Sequence, residues 1–206
     1  MGDVAPKTIA LYVTVSDEFL SEYRAKHTKY NLNISLKRDI IFALFKYAYR
    51  RYFKIKVDSK TVKSLINTQG YGGKYHSFSF DSSAITVAVS EKPIAIDIVS
   101  GRADVDEKEM AKSSLSRREY KAYEESGYSS DMLYTTLGKK HAMRKLYEIK
   151  SPSGNRFDYP FVKDIDPSNE QFYTYTFEFE NKKHYIVSTA ETELVHYDIK
   201  KILNKK

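Results

Sequence analysis

Residues Ile34–Tyr52 carry the strongest constraint on how this chain can fold. Ile41, Leu44, Phe45, Ala48 and Tyr52 recur at three- and four-residue spacing, which lines one face of a helix. Lys37, Arg38, Lys46, Arg50 and Arg51 lie largely off that stripe, on a solvated basic face. An apolar stripe on a helix must be buried against another layer, and strand patterns lie on both sides of it. Thr8–Val15 alternates as a strand. His76–Val89 reads as two strands around a turn at Asp81–Ser83. Pro93 then precedes Ile94–Val99 (IAIDIV), a third strand.

The second half repeats the mixture. Asp106–Ala111 is helical in pattern, and Ser116-Arg117-Arg118-Glu119 spells a capping box that starts a helix at Arg117. Leu133–Tyr147 is a further helical stretch, on which Lys140, Arg144 and Lys145 fall on adjacent faces. Ser151–Asn155 reads as a turn. Two strands follow, Phe172–Glu180 and His184–Thr189, joined at Asn181-Lys182-Lys183. Tyr173, Tyr175, Phe177 and Phe179 share one strand face, which reads as a packed sheet face before a base-stacking one. Near the N-terminus, Ser16 followed by Asp17 and Glu18 predicts a helix N-cap, with the helix running to about His27.

These elements predict an α+β fold of two pseudo-repeated lobes, each a small antiparallel sheet packed on a helix. The lobes are expected at residues 1–92 and 93–206, with the joint near Glu91–Ile94. No repeat is visible at the level of residue identity.

Composition narrows the chemistry. The 206 residues include no Cys, which removes disulfides, thiolate metal sites and a Cys nucleophile. No apolar run reaches membrane-spanning length, and no basic n-region precedes an apolar one. The expectation is a soluble, cytoplasmic protein with no membrane partner. Lys and Arg total 34 against 27 Asp and Glu, a net charge of +7, and residues 1–60 hold twelve Lys/Arg against six Asp/Glu. Such a surface attracts a polyanionic small molecule, an acidic protein or nucleic acid. No zinc pattern, helix-turn-helix signal or RNP-type aromatic motif points to nucleic acid, so none is expected as a partner.

Two sequence features could carry chemistry. In Ile94–Val99, Asp97 is a lone carboxylate in an apolar strand. Burying it ionised is costly, so it meets a cation or a metal, or serves as a structural salt bridge or strand-end cap. Asn67–Tyr75 (NTQGYGGKY) is a glycine-rich loop that suits either close approach to a ligand or a plain hairpin connection.

In order and spacing, these segments resemble the 4′-phosphopantetheinyl transferases of the two-lobed, surfactin-synthetase-activating type. That family shows a G-K-P loop, F-N-[IL]-S-H-S, G-I-D-[IVL]-E, F-[ST]-x-x-E and W-x-x-K-E-[AS]-x-x-K. The equivalents here are Gly73-Lys74-Tyr75, Ser77-Phe78-Ser79-Phe80-Asp81, Ala95-Ile96-Asp97-Ile98-Val99, Leu115-Ser116-Arg117-Arg118-Glu119, and Leu137 through Lys145. The resemblance covers residues 8–190 in layout and about seventy residues in motif.

The resemblance implies an active site between the lobes of one compact, monomeric unit. It also implies transfer of the phosphopantetheine arm of coenzyme A to a serine of an acyl or peptidyl carrier protein. Asp97 is then the metal ligand, for Mg²⁺ or Mn²⁺. Lys74, Arg38, Ser79 and Lys140 bind coenzyme A, and His141 and Lys145 are catalytic. The departures matter too. Val99 stands at the position of a metal-facing Glu, His141 at that of another carboxylate, Phe80 at that of a phosphate-contacting His, and Leu137 at that of a Trp. His141 is open to three readings: a ligand for a borderline metal, a general base with an ordinary pKa of about 6.5, or a surface histidine. Asp104 or Asp106 is a candidate replacement ligand. The alternative to an enzyme is a catalytically impaired pseudoenzyme that binds coenzyme A or a carrier protein without turnover.

Overall fold

The computed structural model describes residues 8–16, 18–19, 21–22, 32–81, 83–101, 105–150 and 162–198. The protein is α+β, and its chain divides into two compact units, Met1–Ile94 with Thr192–Lys206, and Ala95–Glu191. Residues from 192 onward were expected with the second lobe. Instead, a strand at Glu193–His196 pairs in parallel with Thr8–Thr14 of the first unit. The expected helix from Ser16 lies mostly outside the described residues, although the Ser16 hydroxyl does accept from Phe19 N–H at 3.1 Å, as an N-cap does. The 151–155 turn, Asp104 and the last eight residues also lie outside them.

The first unit contains β1 (Thr8–Thr14), α1 (Leu32–Phe53), α2 (Ser59–Leu65), β2 (Gly70–Tyr71), β3 (Lys74–Phe80) and β4 (Ala84–Ser90), and it takes β8 (Glu193–His196) from the end of the chain. The strand order is β2-β3-β4-β1-β8. Period two puts Ile9, Leu11 and Val13 of β1, and Ile85, Val87 and Val89 of β4, into one core with Ile41, Leu44, Phe45 and Ala48 of α1. Each of the larger side chains contributes about 1.5–3 kcal/mol on burial, which makes this layer contact the main source of the unit's stability. The glycine-rich loop closes the β2–β3 hairpin. Gly72 and Gly73 have φ of 58° and 71°, the left-handed pair that a two-residue hairpin turn requires.

A buried polar lock ties α2 to this core. His76 on β3 accepts from the Tyr49 hydroxyl at 2.7 Å through Nδ1. Its Nε2–H is shared between the Leu65 and Thr68 carbonyls, both at 2.9 Å. Burial lowers the His76 pKa, against the two carbonyl contacts. The folded state therefore resists protonation while the unfolded chain takes up a proton below about pH 6.5. The stabilisation is complete above that pH and is lost as pH falls through the lowered folded value. We expect the unfolding midpoint to drop between pH 7 and 5, and this slope to be missing in His76→Phe. A wild-type midpoint unchanged over that range would refute the assignment.

The second unit contains β5 (Ile96–Ser100), α3 (Glu107–Ser114), α4 (Arg117–Glu125), α5 (Ser130–Lys150), two 3-10 turns (Val162–Asp164 and Pro167–Asn169), β6 (Tyr173–Phe179) and β7 (Lys182–Ser188). The antiparallel order is β5-β7-β6, and α5 lies across β5 and β7. The β6–β7 turn falls one residue earlier than expected, at Glu180 and Asn181 with φ of 49° and 58°. The β6 aromatics are half-buried and alternate with exposed Thr174, Thr176 and Glu178. Phe177 stacks on His184 at 4.8 Å, as on a packed sheet face. The Ser116 capping box is formed, with Glu119 closing it at 2.7 Å. No helix among the described residues is long and apolar enough to cross a membrane.

Candidate functional site

The site grows from one strand and one helix of the second unit. On β5, period two puts Asp97 and Val99 on the same face, and α5 crosses that face closely. A Cβ on Gly138 would stand 2.7 Å from Val187 Cγ2 and 3.0 Å from Val99 Cγ2, so only glycine lets the helix approach this near. One turn further along α5, His141 and Lys145 are four residues apart on one face, and both reach Asp97. Lys145 Nζ donates to Asp97 Oδ1 at 2.6 Å and to the Ile96 carbonyl at 2.9 Å. His141 Nδ1 lies 3.1 Å from Asp97 Oδ2. An ionised carboxylate only accepts, so Nδ1 carries a proton, and in the neutral imidazole Nε2 then keeps the lone pair.

Asp97 is buried, while His141 and Lys145 are partly open to solvent. Burial pushes the Asp97 carboxyl upward, but the Lys145 charge and the His141 contact outweigh it and hold it below the ordinary carboxylate range. Asp97 is therefore an ionised, neutralised anchor. Of the two readings its position left open, the paired carboxylate is the one seen.

These residues do not fit a divalent cation. One Asp97 oxygen is taken by an ammonium, and Val99 offers no donor. Asp106 caps α3 through one oxygen, Oδ1 accepting from Lys108 and Glu109 N–H at 2.9 and 3.2 Å. Among the described residues no group of three or more His, Asp or Glu could hold a metal ion.

Lys140 has a different place from the one expected. The resemblance implies a coenzyme A contact for it beside Lys145, but five residues separate the two, about 140° around a helix. Lys140 is fully buried. Its ammonium donates to Glu119 Oε2 at 2.7 Å, to the Ile165 carbonyl at 2.8 Å and to the Lys163 carbonyl at 3.2 Å, which uses all three of its protons. The capping box identified Glu119 as a local cap; its second role, as counter-ion to a buried lysine, is a long-range contact that spacing does not reveal. Beside this pair runs a groove of about 740 Å³, lined among others by Arg117, Lys139, Asp166 and Phe172.

The other expected contacts belong to the first unit. Lys74 pairs with Glu91 at 2.9 Å and lies over the Phe53 ring at 5.1 Å. Arg38 is exposed and 5.8 Å from the Phe42 ring centroid. Ser79 is buried in β3, opposite Thr86 of β4. Phe80 is exposed under the Lys37 ammonium, 4.8 Å from its ring centroid.

The structure thus gathers Asp97, His141 and Lys145 into one cluster and gives Lys140 a structural place. No family model matches the sequence, and no curated protein matches it.

Proposed function

We propose that this is a 4′-phosphopantetheinyl-transferase-like protein that engages coenzyme A or a carrier protein without metal-assisted turnover. Support for the family reading comes from the motif order between Gly73 and Lys145 and from the connectivity of the two units. In the first, β1 leads through helices to the β3–β4 hairpin and pairs with β4. In the second, β5 leads through helices to the β6–β7 hairpin and pairs with β7.

The observation that carries the choice within that family is Lys145 Nζ at 2.6 Å from Asp97 Oδ1. A Mg²⁺ or Mn²⁺ ion on that oxygen would have to displace an ammonium already held by a carboxylate and a carbonyl. This favours the impaired pseudoenzyme over metal-dependent transfer.

One observation favours a second reading, a transferase that works through His141. Asp97 fixes the imidazole with Nε2 as acceptor, the arrangement of a general base. In that step Nε2 takes the proton of the carrier serine as its oxygen bonds to the phosphorus bearing the pantetheine arm. The bond from that phosphorus to the bridging oxygen breaks, and the electron pair leaves with adenosine 3′,5′-bisphosphate.

The test is incubation with coenzyme A and apo carrier proteins, in EDTA, Mg²⁺ or Mn²⁺, reading carrier mass and the thermal midpoint of this protein. The proposal expects coenzyme A or carrier to raise the midpoint equally in all three, with carrier mass unchanged. A mass gain of one phosphopantetheine arm in EDTA that His141→Ala abolishes would establish the second reading. A gain that needs the metal would overturn both. No response to coenzyme A or to carrier would leave a likeness of fold alone.

A further inference from the structure

The net charge of this chain is concentrated in one place. Residues 46–63 contain seven of the 34 Lys and Arg but one of the 27 Asp and Glu, so this segment carries +6 and the rest of the chain +1. The segment is the C-terminal half of α1, the turn after it, and α2. Arg50, Arg51, Lys54, Lys56, Lys60 and Lys63 are all exposed. Lys46 and Arg50 lie four residues apart on one face of α1, and Lys54 follows just past the helix end with φ of 60°. That face continues onto α2, because Lys46 Nζ donates to the Ser59 hydroxyl at 2.9 Å. Val62 and Leu65 turn the other face of α2 into the core, which leaves its lysines outward. The lone acid, Asp58, is occupied as the α2 N-cap, accepting from Lys60 and Thr61 N–H at 2.8 and 2.7 Å.

Helix-end electrostatics do not account for so many cations. A helix C-terminus presents about half a negative charge, and six exposed cations far exceed it. The kind of partner follows from what the patch lacks. The exposed large hydrophobics among the described residues are Tyr75, Phe80 and Tyr128, none of them within 46–63. The segment's own Tyr47, Tyr52, Phe53 and Ile55 are half-buried against the core of the first unit, so none stands out as an aromatic anchor for a protein interface, an apolar wedge for a membrane surface or a fully exposed ring on which an unpaired base could stack. What remains is a run of cations with the Ser59 hydroxyl beside it, a chemistry suited to phosphate oxygens.

We propose that the surface formed by the C-terminal half of α1 and by α2 binds duplex nucleic acid through its phosphate backbone, without reading sequence. This binding is independent of the Asp97 centre.

The probe is a fluorescein-labelled duplex of about 20 base pairs, long enough to cover several phosphates, followed by anisotropy. Four or five phosphate contacts give an affinity that falls about 100- to 1000-fold between 50 and 200 mM salt. Two duplexes of unrelated sequence should bind alike. Lys56→Glu/Lys60→Glu/Lys63→Glu should weaken binding at least about 100-fold at low salt and leave the thermal midpoint unchanged, since none of the three ammonium groups is buried. Binding by the triple variant equal to wild type, a flat salt response, or preference for phosphatidylserine vesicles or a polyglutamate peptide over the duplex would each overturn the proposal. Failure of the coenzyme A experiment would leave it untouched.

Discussion

Lys140→Met should lower the stability of the second unit by about 3–5 kcal/mol, the usual cost of removing one partner from a buried ion pair. Methionine approximates the length and apolar stem of lysine, so the cavity term is small and the loss is electrostatic. The substitution takes the ammonium from the Ile165 and Lys163 carbonyls and leaves Glu119, among the described residues, with its capping contact to Ser116 N–H. Three segments then lose their common tie: the start of α4, the middle of α5 and the 162–165 turn. Lys140→Arg should be nearly as harmful, because a rigid planar fork does not match three acceptors converging on one ammonium. Adding Glu119→Gln to Lys140→Met should recover part of the loss, since no unpaired carboxylate remains. Urea unfolding read by circular dichroism measures all of this. If Lys140 instead faces a ligand phosphate, Lys140→Met will keep its unfolding midpoint and lose only affinity for coenzyme A.

The contrast between Lys140 and Lys145 shows where sequence reading stops. Periodicity located α1 within two residues at either end, because a 22-residue amphipathic pattern admits no other period. The capping box located the start of α4, because cap chemistry is local. Strand alternation placed Asp97 on β5 and showed that it needed a partner. It could not say which cation would arrive, since that depends on how α5 is rotated over the sheet, and Gly138 against Val99 and Val187 sets that rotation. The same limit hid β8, whose parallel pairing with β1 joins residues nearly two hundred positions apart. Four short residues (ELVH) carry no periodic signal that could reveal it. The resemblance matched residues 140 and 145 to the two lysines of one family motif and so drew both toward coenzyme A. Around the helix they face different neighbours, and burial assigns them different work.

Lys145→Met should cost about 3 kcal/mol at neutral pH by leaving a buried carboxylate short of its counter-charge, and the cost should shrink on acidification. In the wild type, Lys145 and His141 hold the Asp97 carboxyl below its ordinary value despite burial. A depressed acid contributes stability that is complete above the unfolded pKa of about 3.9 and is lost as pH falls through the folded value. Without Lys145, burial becomes the larger influence and the carboxyl moves upward. The variant then binds the Asp97 proton more readily when folded than when unfolded, and the sign of its linkage reverses. The stability difference between the two proteins should therefore narrow as pH falls toward 4. Asp97→Asn alone should cost less, because the Lys145 ammonium is partly exposed and can be rehydrated. The double variant Lys145→Met/Asp97→Asn should be more stable than Lys145→Met alone, with a coupling of about 1–3 kcal/mol between the sites. A pH-independent difference, or additive single costs, would mean that the ammonium is no counter-ion to Asp97. A gain of tight Mn²⁺ binding by Lys145→Met, read from the paramagnetic relaxation of water, would show instead that the lysine had been standing in a metal's place.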